Sequence, residues 1–266
     1  MRIEAVNRVV YANNPLAEVV CQIRFVQVDN TDKLFEAFKS SLPDQGYVDF
    51  REERSIPIVP PVVSDLGEIR IEIPQIQIQH FSTADGRWQV SVCGEFVALT
   101  CLKYSDWNEF FGRLLPIIKL SSEVLQSTPL VRVGLRYKDV IERESLGLAG
   151  VPWHELVSSF LLGPMAPNAL ADGQTPSDNE VQSASAQSIL KLENSTVLLQ
   201  SALLTSTDNE RRAFLIDADF FIEGEIPLMT DVDGLKTKLD SLHVNAGALF
   251  RRCITERLHH ALRPSS

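Results

Sequence analysis

Apolar and polar residues alternate along residues 131–141, with Arg132, Arg136 and Lys138 at one parity. A period of two belongs to a strand buried on one side, so this segment predicts a β-strand whose open face is basic. The same alternation marks residues 18–26, with Val19, Cys21, Ile23 and Phe25 inward and Gln22 and Arg24 outward. Between them the period changes. Leu34, Phe35, Phe38 and Leu42 form a helical stripe, with Thr31 as the expected cap and Pro43 as the stop. Ile69, Ile71 and Ile73 mark a strand, and Ile76 and Ile78 a second whose phase has slipped across Pro74. A bulge or bend at Pro74 would return both sets to the core and leave Gln75, Gln77 and Gln79 as an outward row. Trp88, Val90 and Val92 follow the turn Ala84-Asp85-Gly86, and another strand runs over 96–102. A helix capped by Ser105 should carry Trp107, Phe110, Phe111, Leu114, Leu115 and Ile118 inward, with Pro116 kinking or ending it.

Beyond residue 142 the pattern weakens. A short helix is expected over 152–162, and 163–187, rich in Gly, Pro, Ala, Ser, Asn and Asp, reads as a mobile loop. Two strands follow, at about 189–205 and 212–223, joined by the polar turn 206–210. A long helix over about 231–262 places Leu235, Leu239, Leu242, Ala246, Leu249 and Cys253 on one seam. These elements predict an α+β fold of antiparallel sheet with packed amphipathic helices. The expected division is an N-terminal α+β half over 1–142, a partly helical then flexible connection over 143–187, and a C-terminal hairpin plus long helix over 188–266. Each half runs through a hairpin into an amphipathic helix, a topological echo without sequence identity. The halves can still form one unit.

Composition narrows the function. With 266 residues and 44% hydrophobic content the chain can bury a sizeable core. Its longest apolar runs fall short of a spanning helix, and residues 1–6 lack the character of a signal peptide, so a cytoplasmic protein that avoids membranes is expected. The four cysteines have no metal or redox spacing and read as core residues. The net charge is −10; residues 1–143 carry 16 Lys+Arg against 19 Asp+Glu, and residues 144–266 carry 9 against 16. An acidic chain is a poor general binder of phosphate backbone, although a local basic patch remains open to it.

Candidate chemistry is sparse. Asp217 and Asp219 share a strand face and could offer a divalent metal two carboxylates, yet no third ligand is evident and a solvent-facing acidic row explains them as well. His243 and His259 lie about 24 Å apart along one helix and cannot share a metal. His243, beside the seam, reads as a hydrogen-bonded packing residue that could also serve as an acid or base. No phosphate loop, dinucleotide fingerprint, nucleophile elbow or zinc helix motif occurs. No cofactor and no metal are therefore expected. One composite surface stands out: if the strands at 18–26, 69–80 and 131–141 share a sheet, Arg24, Gln75, Gln77, Gln79, Arg132, Arg136 and Lys138 could line one face. Such a face could bind a nucleic acid, a small anion or an acidic partner, or its arginines could pair with carboxylates of a covering helix.

Several segments together resemble a sporadically distributed bacterial family of uncharacterised proteins of similar length. They are Asn14-Pro15 with Glu18-Val19-Val20-Cys21-Gln22-Ile23-Arg24-Phe25, Tyr104 to Phe110, the Arg132 to Tyr137 strand, and Leu242-His243 with Phe250 and Ile254-Thr255. The resemblance spans nearly the whole chain and implies no activity. With the missing catalytic motifs, the acidic second half and the seamed helix, it leads to the expectation of a non-enzymatic protein-binding module. Accessory or neutralising components of defence and toxin-control systems are of that kind. Its partner would be another protein, with a homodimer through the last helix as one form. A nucleic-acid or anion binder using the basic face is the first alternative, and an enzyme with an unfamiliar site the second.

Overall fold

A computed structural model describes residues 1–4, 6, 9–28, 31–55, 76–170, 172–205, 211–224 and 226–265. The strand expected at Ile69, Ile71 and Ile73, the bend at Pro74, Gln75 and the turn over 206–210 lie outside the described residues.

The two strongest alternating segments become the centre of the molecule. Strand β2 (Leu16–Phe25) pairs antiparallel with β7 (Leu130–Glu142), Cys21 opposite Leu135 and Ile23 opposite Val133. From β2 the sheet extends outward through β6 (Phe96–Cys101), β5 (Trp88–Val92), β4 (Ile76–Ser82) and β3 (Asp49–Ser55). From β7 it extends the other way through β10 (Arg212–Glu223), β9 (Thr196–Thr205) and β8 (Ser185–Lys191). All neighbours are antiparallel, giving an α+β fold on a sheet that has nine strands among the described residues and is shared by both halves of the chain. A two-stranded sheet joins β1 (Val10–Tyr11) to β11 (Pro264–Ser265).

The halves repeat one plan. Each begins with a central strand, crosses to the far edge, returns inward through a meander and ends in a long helix. In the first half the crossing includes α1 (Thr31–Ser41) and the closing helix is α2 (Trp107–Leu125). In the second the crossing is made of 3₁₀ turns and the closing helix is α3 (Val232–Cys253). All three helices lie on the sheet face carrying Val19, Cys21, Ile23, Val133, Leu135 and Phe220, each at most 1% exposed. The opposite face carries the other parity.

Local chemistry moves several boundaries. Thr31 is the first residue of α1 and its hydroxyl donates to the Val28 carbonyl instead of capping. The cap of α2 is Asp106, not Ser105: its extended backbone lets the carboxylate accept from the Asn108 and Glu109 amides at 2.8 and 3.0 Å. Asp106→Ala should lower stability by about 1 kcal/mol, read from urea denaturation. Pro116 does not end α2. Its ring loses one helical hydrogen bond, but Ile117, Ile118, Ser121 and Leu125 beyond it are buried and hold the helix on its path.

The region 152–162 is not an α-helix but successive 3₁₀ turns, Trp153–Glu155 and Ser159–Leu161, with Gly163–Met165 next. Within the loop expected over 163–187, Met165 and Val181 are buried. Asp178 is tied to Arg143, and its carbonyl to Arg212. The strand expected over 189–205 is a hairpin, β8 and β9, turned at Leu192 and Ser195. The long final helix breaks. Its seam, Leu235 to Cys253, is buried against the chain's own sheet, so it is not free for a homodimer. Ile254 then turns extended to bridge Val157, and Thr255 caps a separate helix α4 (Glu256–Ala261) while its hydroxyl donates to the Glu155 carbonyl. No helix among the described residues is long and apolar enough to cross a membrane.

Candidate functional site

On the face away from the helices, register brings Arg24 opposite Arg132, Val20 opposite Arg136 and Glu18 opposite Lys138. The four predicted cations therefore do share one surface. Each has a carboxylate: Arg24 meets Glu95 at 3.4 Å, Arg132 meets Asp219 at 2.7 Å, and Lys138 meets Glu18 at 2.9 Å. Arg136 grips both oxygens of Asp217, with Nε at 2.7 Å from Oδ1. The partners come from neighbouring strands and a turn, not from the covering helix that was one of the alternatives. Gly134 makes room for this ladder: a Cβ there would stand 2.7 Å from the Arg132 guanidinium, which lies over the Phe221 ring at 4.4 Å.

Asp217 and Asp219 thus form the acid half of a neutralised ladder, where a solvated row or a metal pair had been weighed. Among the described residues, no group of three or more His, Cys, Asp or Glu is placed to hold a metal. The glutamine row does not join them. Gln79 shares the parity of Phe81, which packs inward at 3% exposure, so Gln79 is buried on the helix face. Gln77, two residues earlier, lies on that same side and is exposed. Ile76 and Ile78 take the open face. Phe81 sets the phase of β4, where the isoleucines had been expected to do so.

A second cluster crosses three strands of the open face. His80 Nδ1 lies 2.8 Å from the Ser91 hydroxyl and Nε2 lies 3.5 Å from Glu53, an acid, imidazole and hydroxyl in line. Burial, then Arg51, lowers the His80 pKa, which would suit a base. Yet Ser91 is 7% exposed and also accepts from Gln89 at 3.2 Å, so its hydroxyl is spent within the cluster.

The helix side holds a true concavity. A cavity of about 260 Å³ lies between the C-terminal part of α3, the strands β7 and β10, and the N-terminal segment around Val10. Helix α3 presents the small residues Ala246, Gly247 and Ala248 at the cavity, beside His243, Leu249 and Phe250.

Into this space faces Asp139, the inward residue of β7 after Tyr137, opposite Leu16 and Ile216. It is 5% exposed, and no hydrogen bond or ion pair ties it among the described residues. Burial, and secondarily the Asp217 charge across the sheet, pushes its carboxyl up to about 8. Beside it, the Tyr137 hydroxyl and His243 Nδ1 stand 2.7 Å apart. The His243 ring stacks on Trp107 with centroids 4.6 Å apart and planes 9° apart, and Trp107 Nε1 donates to Asp240 at 2.7 Å. The histidine at the seam is thus both hydrogen-bonded and on the cavity wall. Cys253, also on the wall, is an inert thiol whose pKa burial pushes up to about 12. A carboxyl with a raised pKa and no partner among the described residues, in a mostly apolar cavity, makes this the candidate site. No family model, curated protein or solved structure matches the chain.

Proposed function

We propose that the chain binds a compact, largely apolar small molecule in the cavity under α3. The observation that carries this reading is Asp139: a carboxyl 5% exposed on the wall of a mostly apolar space, with no hydrogen bond or ion pair to it among the described residues. Burying such a group costs stability unless a partner arrives. A 150 Å³ cavity suffices for benzene, so 260 Å³ suits a ligand of on the order of ten non-hydrogen atoms.

Nucleic acid or a small anion on the sheet face draws less support, since an anion would have to compete with a carboxylate already on each of the four cations. A protein partner in a defence or toxin-control setting is favoured by no one surface among the described residues.

Indole, which is neutral and of the right size, tests the reading. It should raise the melting temperature in proportion to the logarithm of its concentration and bind saturably by calorimetry. Ala218→Leu, on the cavity floor, should abolish that binding without unfolding the protein. Equal binding by wild type and variant would sink the proposal, and so would failure of the wild type to bind indole together with a charged and a neutral aromatic ligand of the same size.

A further inference from the structure

The polar group of the ligand can be taken further, on the premise that the cavity is a binding site. The rings of Tyr11, Tyr104, Tyr137 and Phe250 line the cavity, beside the His243 imidazole. Tyr104 meets Tyr137 at 82° with centroids 6.2 Å apart, and Tyr11 meets Phe250 at 72° and 5.9 Å. Perpendicular pairs form corners that combine one ring's face with another's edge. Aromatic faces around an apolar space attract cations, and a carboxylate at its wall completes the recognition of an ammonium group.

Among the described residues, the charged groups near Asp139 are engaged, as are the histidine and tyrosine beside it. Arg251, on the cavity wall, is held by Glu256 and lies 3.5 Å from the Ile254 carbonyl. His243 is bound to Tyr137 and stacked on Trp107. Tyr11 bonds His259 at 2.9 Å, and the pKa of Tyr11 is raised by burial. Asp217, across the sheet, is held by Arg136. An anionic ligand would meet Asp139 with Asp217 behind it and find no unengaged cation among these groups. From the cavity, its aromatic corners and an Asp139 carboxyl without a partner among the described residues, we infer that the ligand is an organic ammonium ion. Its apolar body occupies the space under α3 and its cationic head meets the Asp139 carboxylate.

The arrangement fixes the pH dependence. A permanently charged ligand requires Asp139 ionised, so below pH 8 each binding event releases a proton to buffer. Phenyltrimethylammonium, which has no titration of its own, and tert-butylbenzene, its neutral isostere, separate the charge from the shape. Calorimetry should show cation affinity rising by about tenfold per pH unit from pH 6 to 8, with roughly one proton released per cation bound, and levelling above. Asp139→Asn should lower cation affinity at pH 8 by about a hundredfold and turn the preference toward the isostere. Cation binding indifferent to pH and to Asp139→Asn would overturn the inference. So would binding of the isostere or indole with the cation excluded, which leaves the cavity reading standing. Failure of the cation, the isostere and indole alike would remove both.

Discussion

Asp139→Asn should make the protein more stable at pH 8, by roughly 2 kcal/mol or more, while leaving its stability near pH 4 unchanged. The sign follows from the direction of the shift. A carboxyl raised from 3.8 to about 8 on folding is protonated in the native state and ionised in the unfolded chain between those values. The native state therefore binds more protons, and stability falls as pH rises through that window, by at most about 1.4 kcal/mol per unit. Below 3.8 both states are protonated and the group is silent. An asparagine keeps the shape and never ionises, so urea denaturation at several pH values should show the downward slope between pH 4 and 8 disappear. A variant less stable than wild type at pH 8, or one with the slope intact, contradicts the placement of Asp139. The gain has a functional meaning. A residue whose removal stabilises the fold is one that folding does not explain, and costs of this kind collect at sites of binding and chemistry.

Where one physical rule decides the outcome, sequence and structure agree. Val19, Cys21 and Ile23 alternate on a central strand and are buried, and Leu235 to Cys253 follow a helical seam and are buried. The rule fails where two rules compete. Ile76 and Ile78 suggested one phase for β4, but Phe81 buries more surface and takes the inward side, carrying Gln79 with it. The seam promised one helix to residue 262, but Thr255 is a better cap than a helix interior residue, and a bridge from Ile254 to Val157 rewards the break. Three-dimensional partners were unreadable for a plainer reason. Periodicity says which side of a strand a residue faces, never which strand lies beside it. Arg136 meets Asp217 across 81 positions of sequence through a register that no local pattern reveals. Asp139 is different. If Arg132, Arg136 and Lys138 point outward, parity alone sends Asp139 inward among Leu135, Tyr137 and Ile141, and an inward carboxylate on a central strand is the anomaly that marks the site.

That row and the cavity are coupled through the thickness of one sheet, and Arg136→Ala should expose the coupling. The Asp217 side chain is 5% exposed while that of Arg136 is 41% exposed, so the two deletions are unequal. Removing the arginine leaves a buried carboxylate with Lys138 and Gln200 opposite it in register, at a cost of about 2–3 kcal/mol after allowance for the exposed partner. Removing Asp217 leaves a guanidinium that can reach water, a smaller loss. Replacing both together, with Met for Arg136 and Leu for Asp217, should recover most of it, because the pair's attraction is largely offset by its desolvation. The effect on Asp139 has the opposite sign in the two single variants. Without Arg136, the Asp217 charge acts on Asp139 less neutralised, and the pH at which stability stops falling should move up. With Asp217→Asn one of the two causes of the raised carboxyl is gone, and that pH should move down. Stability measured against pH for the two variants therefore reads the field at the cavity from the far side of the sheet. Profiles that change in height without moving along the pH axis would show that the ladder braces the fold and does nothing to Asp139.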